Sequence, residues 1–138
     1  MTCVAAQLSP PRIVLADDRE DVRRALKGML EGEFKIVGLA QNGREVFPLV
    51  LTQAPDVLVL DIVMPVLNGI ETTQHLKASG FQTAVVMISV YTDPDFLDAA
   101  MSVGALGYVH KPHITTDLVP AIRAVLLGHC YVSPSLHS

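Results

Sequence analysis

The stretch Val57-Leu58-Val59-Leu60-Asp61 decides the fold, because four apolar residues in a row end there in a carboxylate. A short, continuously apolar run is typical of a parallel strand that is buried on both faces. Burying an isolated carboxylate is costly, so Asp61 is expected to face a site and not the core. We therefore predict a strand over residues 57–61 with a functional site at its carboxyl end.

Other apolar runs of the chain also end in charged or polar residues. The run over residues 12–16 ends before Asp17 and Asp18, a later run ends before Ser89, and another leads to Lys111. The carboxyl ends of parallel strands meet at one edge of a sheet, where ligands bind. We therefore expect these side chains and the first carboxylate to share one site.

Apolar runs alternate with stretches of helical periodicity along the chain. Strands are predicted over residues 12–16, 34–40, 57–61, 84–88 and 107–109, and helices are predicted to begin near residues 19, 42, 69, 93 and 115. Five strand–helix units predict an α/β fold with a doubly wound parallel sheet.

Local signals set expectations for three of the helices. Asn42 and Asp93 are predicted to cap the second and fourth helices, and Thr115 or Thr116 is predicted to cap the fifth. Pro48 falls inside the second helix, where a proline removes a backbone donor. We therefore expect the second helix to be short or kinked.

Composition bounds the kind of protein. A length of 138 residues fits one domain, and a net charge of -4 gives no basic footprint for nucleic acid. No apolar run is long enough to span a membrane, and the first residues lack the pattern of a signal peptide. We predict one domain over residues 12–128, an N-terminal tail over 1–11, and a C-terminal tail or the start of a linker over 129–138.

The strand-end residues suggest phosphate chemistry. Three carboxylates in one pocket repel one another, and Mg²⁺, which prefers oxygen ligands, relieves that repulsion. Lys111 then offers a point charge and Ser89 a hydroxyl to a phosphoryl group, which Asp61 could accept as an acyl phosphate. Taken singly, Asp17 and Asp18 could equally cap a helix, and the lysine and serine could be ordinary surface residues. Their joint placement at strand ends favours the site.

Together these motifs resemble a response regulator receiver domain over about residues 11–128. The motifs are Leu15-Ala16-Asp17-Asp18, Asp61-Ile62-Val63-Met64-Pro65 with Asn68-Gly69, Ser89, and Gly104-Ala105 through Gly107-Tyr108 to Lys111-Pro112. The resemblance implies a flavodoxin-like parallel sheet of five strands in the order 2-1-3-4-5.

The resemblance also implies which residues bind metal and phosphoryl group. Asp61 is the implied phosphoacceptor, and it would share Mg²⁺ with the other acidic residues. Asp18 is the implied direct ligand, Asp17 is implied to act through water, and the backbone carbonyl of Val63 completes the protein ligands.

Three further roles follow from the same resemblance. Lys111 is the implied phosphate-binding cation, and the bond between Lys111 and Pro112 is expected to be cis. Ser89 is the implied switch hydroxyl, and Tyr108 is the implied switch aromatic, whose ring is expected to rotate inward when Ser89 turns to the phosphoryl group.

The family likeness implies a function in signalling. A histidine kinase would phosphorylate Asp61, and the resulting change of conformation would control an output. Residues 128–134 resemble the junction in regulators whose receiver precedes a LuxR-type helix-turn-helix effector, so the implied output is transcription. DNA would then be contacted only through an effector that this chain does not include. The likeness also implies a cytoplasmic bacterial protein and is compatible with a homodimer.

Other functions remain open from the sequence. The chain could be a stand-alone receiver that acts through protein contacts. An aspartyl phosphotransferase or phosphatase commonly has a second acid two residues beyond the nucleophile, where this chain has Val63. A nucleotide-binding domain is disfavoured because neither GxGxxG nor GxxxxGK[ST] occurs. The leading prediction is a switch whose only catalysis is its own phosphorylation and dephosphorylation.

Overall fold

A computed structural model describes residues 9–136 of the chain. Strands and helices alternate in this order: β1 Arg12–Ala16, α1 Glu20–Leu30, β2 Lys35–Ala40, α2 Gly43–Gln53, β3 Val57–Asp61, α3 Gly69–Ala78, β4 Ala84–Ser89, α4 Pro94–Ser102, β5 Gly107–His110, α5 Ile114–Leu126 and β6 Tyr131–Val132. Single turns of 3₁₀ helix cover Lys111–His113 and Pro134–Leu136. The predicted α/β alternation is confirmed.

The strands form one parallel sheet in the order β2-β1-β3-β4-β5-β6. Successive side chains of a strand point to opposite faces, and β3 shows the consequence clearly. Leu58 and Leu60 pack in the core layer formed with α2, α3 and α4, whereas Val57 and Val59 pack in the layer formed with α1 and α5. Both faces of β3 are therefore buried, which explains its continuous run of apolar residues.

The sheet has six strands, so the prediction of five is wrong in number, although the order of the first five strands is as expected. The sixth strand, β6, lies in the segment that was predicted to be a tail or linker. Helix α5 ends at Leu126, and Gly128 has a left-handed backbone with φ of 80°. The chain turns there and runs beside β5, covering an edge that would otherwise expose unpaired backbone groups.

Two of the three predicted helix caps are confirmed. The Asn42 side chain accepts a hydrogen bond from the Glu45 amide at 3.0 Å, and the Asp93 side chain accepts one from the Asp95 amide at 2.8 Å. The third prediction, a threonine cap on the fifth helix, is wrong. A 3₁₀ turn leads directly into α5 at Ile114, and Thr116 Oγ1 donates to the His113 carbonyl from inside the helix.

The second helix was expected to be short or kinked, and α2 keeps 11 residues although Pro48 lies inside it, so the proline does not shorten the helix. Pro48 is exposed, and water can satisfy the carbonyl that the proline leaves without a donor. Over residues 9–136, no helix combines the length and the apolar character that crossing a membrane requires.

Candidate functional site

Asp17, Asp61 and Lys111 meet at the carboxyl edge of the sheet, and we call these three residues the acidic pocket. The Lys111 Nζ atom lies 2.6 Å from Asp61 Oδ2 and 3.4 Å from Asp17 Oδ2. Asp17 follows β1, Asp61 ends β3, and Lys111 follows β5. These three strands all run in one direction, which brings their carboxyl ends together as the sequence predicted.

Each carboxylate of the acidic pocket also accepts a hydrogen bond from a nearby backbone amide. Asp17 Oδ1 accepts from the Arg19 amide at 2.9 Å, and Asp61 Oδ1 accepts from the Val63 amide at 2.8 Å. In both residues the other oxygen, Oδ2, faces Lys111. The carboxylates are therefore fixed in orientation, with one ammonium held between them.

The electrostatics of the acidic pocket follow from its burial. Asp17 is only 1% exposed, and this burial raises the pKa of its carboxyl group, aided by the neighbouring charge of Asp61. Burial works against the charged form of Lys111, but the hydrogen bond and charge of Asp61, together with Asp17, outweigh it and raise the lysine pKa. Lys111 therefore stays an ammonium and partly neutralises the two acids.

The structure does not bring all the predicted metal ligands together. Asp17 faces Asp61 across Lys111, whereas the side chain of Asp18 is exposed. Among residues 9–136, no three His, Cys, Asp or Glu side chains are grouped closely enough to share a metal ion. The oxygen donors still suit Mg²⁺, which keeps several waters and needs only one or two carboxylates.

Ser89 and Tyr108 lie beside the acidic pocket, and one residue joins them. The Tyr91 amide donates to Ser89 Oγ at 2.9 Å, and the Tyr91 carbonyl accepts from the Tyr108 hydroxyl at 3.1 Å. Burial raises the pKa of Tyr108. The Tyr108 ring is only 1% exposed, so it already occupies the inward position that was predicted to follow a rotation.

Tyr91, which the sequence analysis did not identify, also contacts the helix that follows β4. Its ring stacks on Phe96 of α4, with ring centroids 4.3 Å apart and planes 10° from parallel. Tyr91 therefore connects the end of β4 to α4. An aromatic pair five residues apart across a helix start is the signal that could have indicated this contact.

The loop between β3 and α3 is tightly folded around Asp61. A Cβ atom on Gly69 would lie 2.7 Å from the Asp61 carbonyl oxygen, so only glycine fits there. Asn68 and Glu71 form a reciprocal capping box at the start of α3. Val66 has φ of 71°, and the Leu67 amide donates to the Pro65 carbonyl, which describes a strained γ-turn.

The expected cis bond between Lys111 and Pro112 is not found, since no peptide bond among residues 9–136 is cis. The trans form is the favoured isomer of an X–Pro bond. With this bond trans, Lys111 begins the 3₁₀ turn before α5 and still contacts both carboxylates.

The mouth of the acidic pocket has an apolar rim. Val63 is 52% exposed, Val90 57% and Tyr91 38%, and all three lie on loops that follow β3 or β4. Sequence reasoning also missed Arg23, whose Nη1 atom donates to the Asp17 carbonyl at 2.7 Å. Arg23 lies in the first half of an amphipathic helix, and nothing in the sequence around it predicts this contact.

Comparison with known proteins gives a consistent result. The model of the response regulator receiver domain family matches residues 13–123. The chain is 32% identical over 127 residues to the uncharacterized transcriptional regulatory protein YvfU of Bacillus subtilis, covering 91% of this chain and 64% of the relative. It is 34% identical over 115 residues to the chemotaxis protein CheY of Halobacterium salinarum, covering 83% of this chain and 96% of the relative.

The same family is found among solved structures. A LuxR-family two-component response regulator from Aurantimonas sp. superposes with a TM-score of 0.88 at 31% identity, covering 93% of each chain. The chain spans 64%, 54% and 58% of three curated regulators that it matches. With a flavodoxin-like parallel sheet and a family match over most of its length, the chain belongs to the response regulator receiver domain family.

Proposed function

We propose that Asp61 is the phosphoacceptor of this receiver domain and that a histidine kinase is the donor. The observation that carries the proposal is the ammonium of Lys111, held 2.6 Å from Asp61 Oδ2 at the carboxyl edge of the sheet. A cation in this place neutralises negative charge on a phosphoryl group, and phosphoryl transfer depends mainly on positioning and charge neutralisation.

The chemical step is an exchange of one bond to phosphorus for another. A carboxylate oxygen of Asp61 forms a bond to phosphorus, and the phosphorus–nitrogen bond of a phosphohistidine breaks. The departing imidazole nitrogen keeps the bonding electrons and takes up a proton. Lys111 neutralises the phosphoryl oxygens, and the Val63 amide, which now donates to Asp61 Oδ1 at 2.8 Å, orients the attacking carboxylate.

Mg²⁺ is the proposed cofactor, with Asp17, Asp18, Asp61 and the Val63 carbonyl as its protein ligands. When bound, it would neutralise charge on the transferring group. The position of Asp17 beside Asp61 favours Asp17 as a direct ligand, in contrast to the sequence-based expectation for Asp18. Asp17→Asn and Asp18→Asn, each titrated with Mg²⁺, decide between them. Substitution of the carboxylate that binds Mg²⁺ directly should lower the Mg²⁺ affinity more than substitution of the other. If both variants bind Mg²⁺ as tightly as the wild type, neither carboxylate belongs to the site.

A groove between α1 and α5 supports the proposed kinase partner. It has a volume of about 380 Å³, and its apolar lining includes Ala25, Met29 and Ile114. Lys111 also lines this groove, so a protein seated there would lie beside the acidic pocket. Exposed apolar grooves of this kind mark protein contacts.

The proposed output is transcription through an effector domain. YvfU and the other first curated relatives are named as transcriptional regulatory proteins, and this chain spans only about half to two-thirds of their length. The alternative is a stand-alone receiver, because the CheY relative of Halobacterium salinarum is matched over 96% of its length. An aspartyl phosphatase or phosphotransferase is less supported, since Val63 offers no second acid.

The phosphoacceptor is tested with acetyl phosphate and Mg²⁺. Intact mass spectrometry should show one added phosphoryl group on the wild type and none on Asp61→Asn, because an amide cannot form an acyl phosphate. Asp56→Asn is the matched control, since Asp56 is exposed and lies before the opposite end of β3. Equal labelling of Asp61→Asn and the wild type would overturn the assignment.

A further inference from the structure

Ser133, which lies beyond the last α-helix, attaches the C-terminal segment of residues 131–136 to β5. It has no exposed surface. Its amide donates to the Tyr108 carbonyl at 3.0 Å, its Oγ accepts from the His110 amide at 2.9 Å, and the same Oγ donates to Asp117 Oδ2 at 2.7 Å. We call Ser133, Asp117 and the His110 amide the clasp.

The clasp holds the part of β5 that leads into the acidic pocket. The two backbone groups that Ser133 binds belong to Tyr108 and His110, and Lys111 directly follows His110. The Lys111 ammonium contacts Asp61 at 2.6 Å, so a shift of the His110 backbone moves the cation relative to the phosphoacceptor. Asp117 ties the same point to the first turn of α5.

Breaking the clasp leaves polar groups without partners. Without the Ser133 hydroxyl, the His110 amide and Asp117 Oδ2 both lose a hydrogen bond within the protein. Both bonds lie in a partly buried place, where an unmade hydrogen bond costs free energy, so the local backbone would relax to find new partners. The end of β5 and Lys111 would then lose their fixed position.

We propose that Ser133 and Asp117 are positioning residues for phosphoryl transfer, which fix Lys111 beside Asp61 and couple that geometry to the attachment of residues 131–136. The inference rests on the proposed function of Asp61. Coupling between two sites is reciprocal. A phosphoryl group on Asp61 therefore tightens the hold on the segment through which the chain leaves the sheet.

The first test compares initial rates of phosphorylation by acetyl phosphate with Mg²⁺. Ser133→Ala should label roughly two- to tenfold more slowly than the wild type, because it removes two hydrogen bonds that hold the backbone beside Lys111. Asp117→Ala should match it, whereas Asp117→Asn keeps an oxygen for the serine hydroxyl and should label at nearly the wild-type rate. Ser135→Ala is the control, because Ser135 is exposed in the same segment and its side chain hydrogen-bonds to the His110 ring, not to the β5 backbone.

The second test uses the wild-type chain and does not depend on the folding of any variant. Beryllofluoride, a phosphoryl mimic, should slow hydrogen exchange of the Ser133 and Tyr131 amides. The Ser133 amide donates to the Tyr108 carbonyl, and the Tyr131 amide donates to the Leu106 carbonyl just before β5. The affinity of Ser133→Ala for beryllofluoride should fall by no more than the factor by which exchange slows, because the variant weakens the attachment of the segment that beryllofluoride strengthens. A purely structural serine would leave the wild-type exchange rates unchanged by beryllofluoride.

The outcomes separate the inference from the proposed function. If the wild type takes no label on Asp61, the proposed function fails and the inference fails with it. If the wild type is labelled but Ser133→Ala labels at the same rate, and beryllofluoride leaves the Ser133 exchange rate unchanged, only the inference is overturned.

Discussion

At the amino end of the sheet, Arg12 and Asp56 join neighbouring strands at the surface, whereas at the carboxyl end Asp17 and Asp61 are buried around Lys111. The Arg12 amide donates to Asp56 Oδ2 at 2.8 Å, and the Arg12 guanidinium donates to the Gln53 carbonyl at 2.9 Å. Asp56 is exposed, so water shares its charge. Charged residues thus link neighbouring strands at the exposed amino edge, whereas at the carboxyl edge they form a buried cluster of charges.

The difference lies in burial and in the number of acids for each cation. Two buried carboxylates share one ammonium in the acidic pocket, which leaves negative charge for a cation or a phosphoryl group to use. Removing a buried partner is costly, while an exposed pair contributes little to stability. Substitutions at the two edges should therefore have unequal effects on the free energy of unfolding.

The largest effect is expected for Lys111→Met. The variant leaves Asp17 and Asp61 facing each other without a cation, and we expect a loss of about 2–3 kcal/mol at pH 7 without Mg²⁺. The loss should shrink in acid, because a protonated Asp17 needs no cationic partner. Urea unfolding at several pH values measures both effects. Stability equal to the wild type at pH 7 would show that the ammonium does not hold the acids together.

Asp17→Asn should raise the free energy of unfolding at pH 7, the opposite of the effect of Lys111→Met. Burial raises the pKa of Asp17 in the folded chain, so the protonated form contributes stability at low pH that is lost as the pH rises through the folded pKa. At pH 7 the ionised group is therefore a cost, and the asparagine, which can still accept from the Arg19 amide, should gain on the order of 1 kcal/mol. The gain should shrink as the pH falls below the raised pKa and vanish only near the ordinary carboxyl pKa of the unfolded chain. A less stable variant at pH 7 would contradict this reading.

The two edges also differ in backbone strain. Val66, in the loop after β3, has φ of 71°, and Ala54, which ends α2 near the amino edge, has φ of 46°. Glycine adopts such angles without strain, so Val66→Gly should gain about 1 kcal/mol and Ala54→Gly less, because valine is β-branched. Thermal unfolding measures the two gains. Val90→Gly is the control and should lose stability, and a larger gain at Ala54 than at Val66 would break the comparison.

The smallest effect is expected at the amino edge. Asp56→Ala removes an exposed acceptor and should cost about 0.5 kcal/mol, with the rate of phosphorylation unchanged. Urea unfolding and labelling with acetyl phosphate measure the two quantities. Slower labelling of Asp56→Ala than of the wild type would show that the edges are not independent.

The sequence predicted the elements whose local pattern is strong. Asp61 and Lys111 stand at strand ends, and parallel strands bring such ends together whatever the details of packing. The roles of the two adjacent acidic residues after β1 are harder to predict from sequence, because the turn that follows β1 decides which of them faces the acidic pocket. Asp17 lies inside it and Asp18 outside, a choice that depends on the Arg19 amide contact.

Three features depend on tertiary contacts that no local pattern carries. β6 has two residues, too few for a periodic signal, and forms only because β5 offers a free edge. The inward ring of Tyr108 depends on the Tyr91 carbonyl, which lies 17 residues away along the chain. The buried state of Ser133 depends on Asp117 in the preceding helix.

The most direct test of the account locates the phosphoryl group within the chain. Borohydride reduces an aspartyl phosphate to homoserine, and peptide mass spectrometry of the acetyl phosphate-treated, reduced protein identifies the modified residue. We predict homoserine at position 61 and at no other acidic residue, with its yield lowered when Mg²⁺ is removed. Homoserine at Asp17 or Asp18, or its absence from position 61 in a protein that has gained a phosphoryl group, would contradict the central claim.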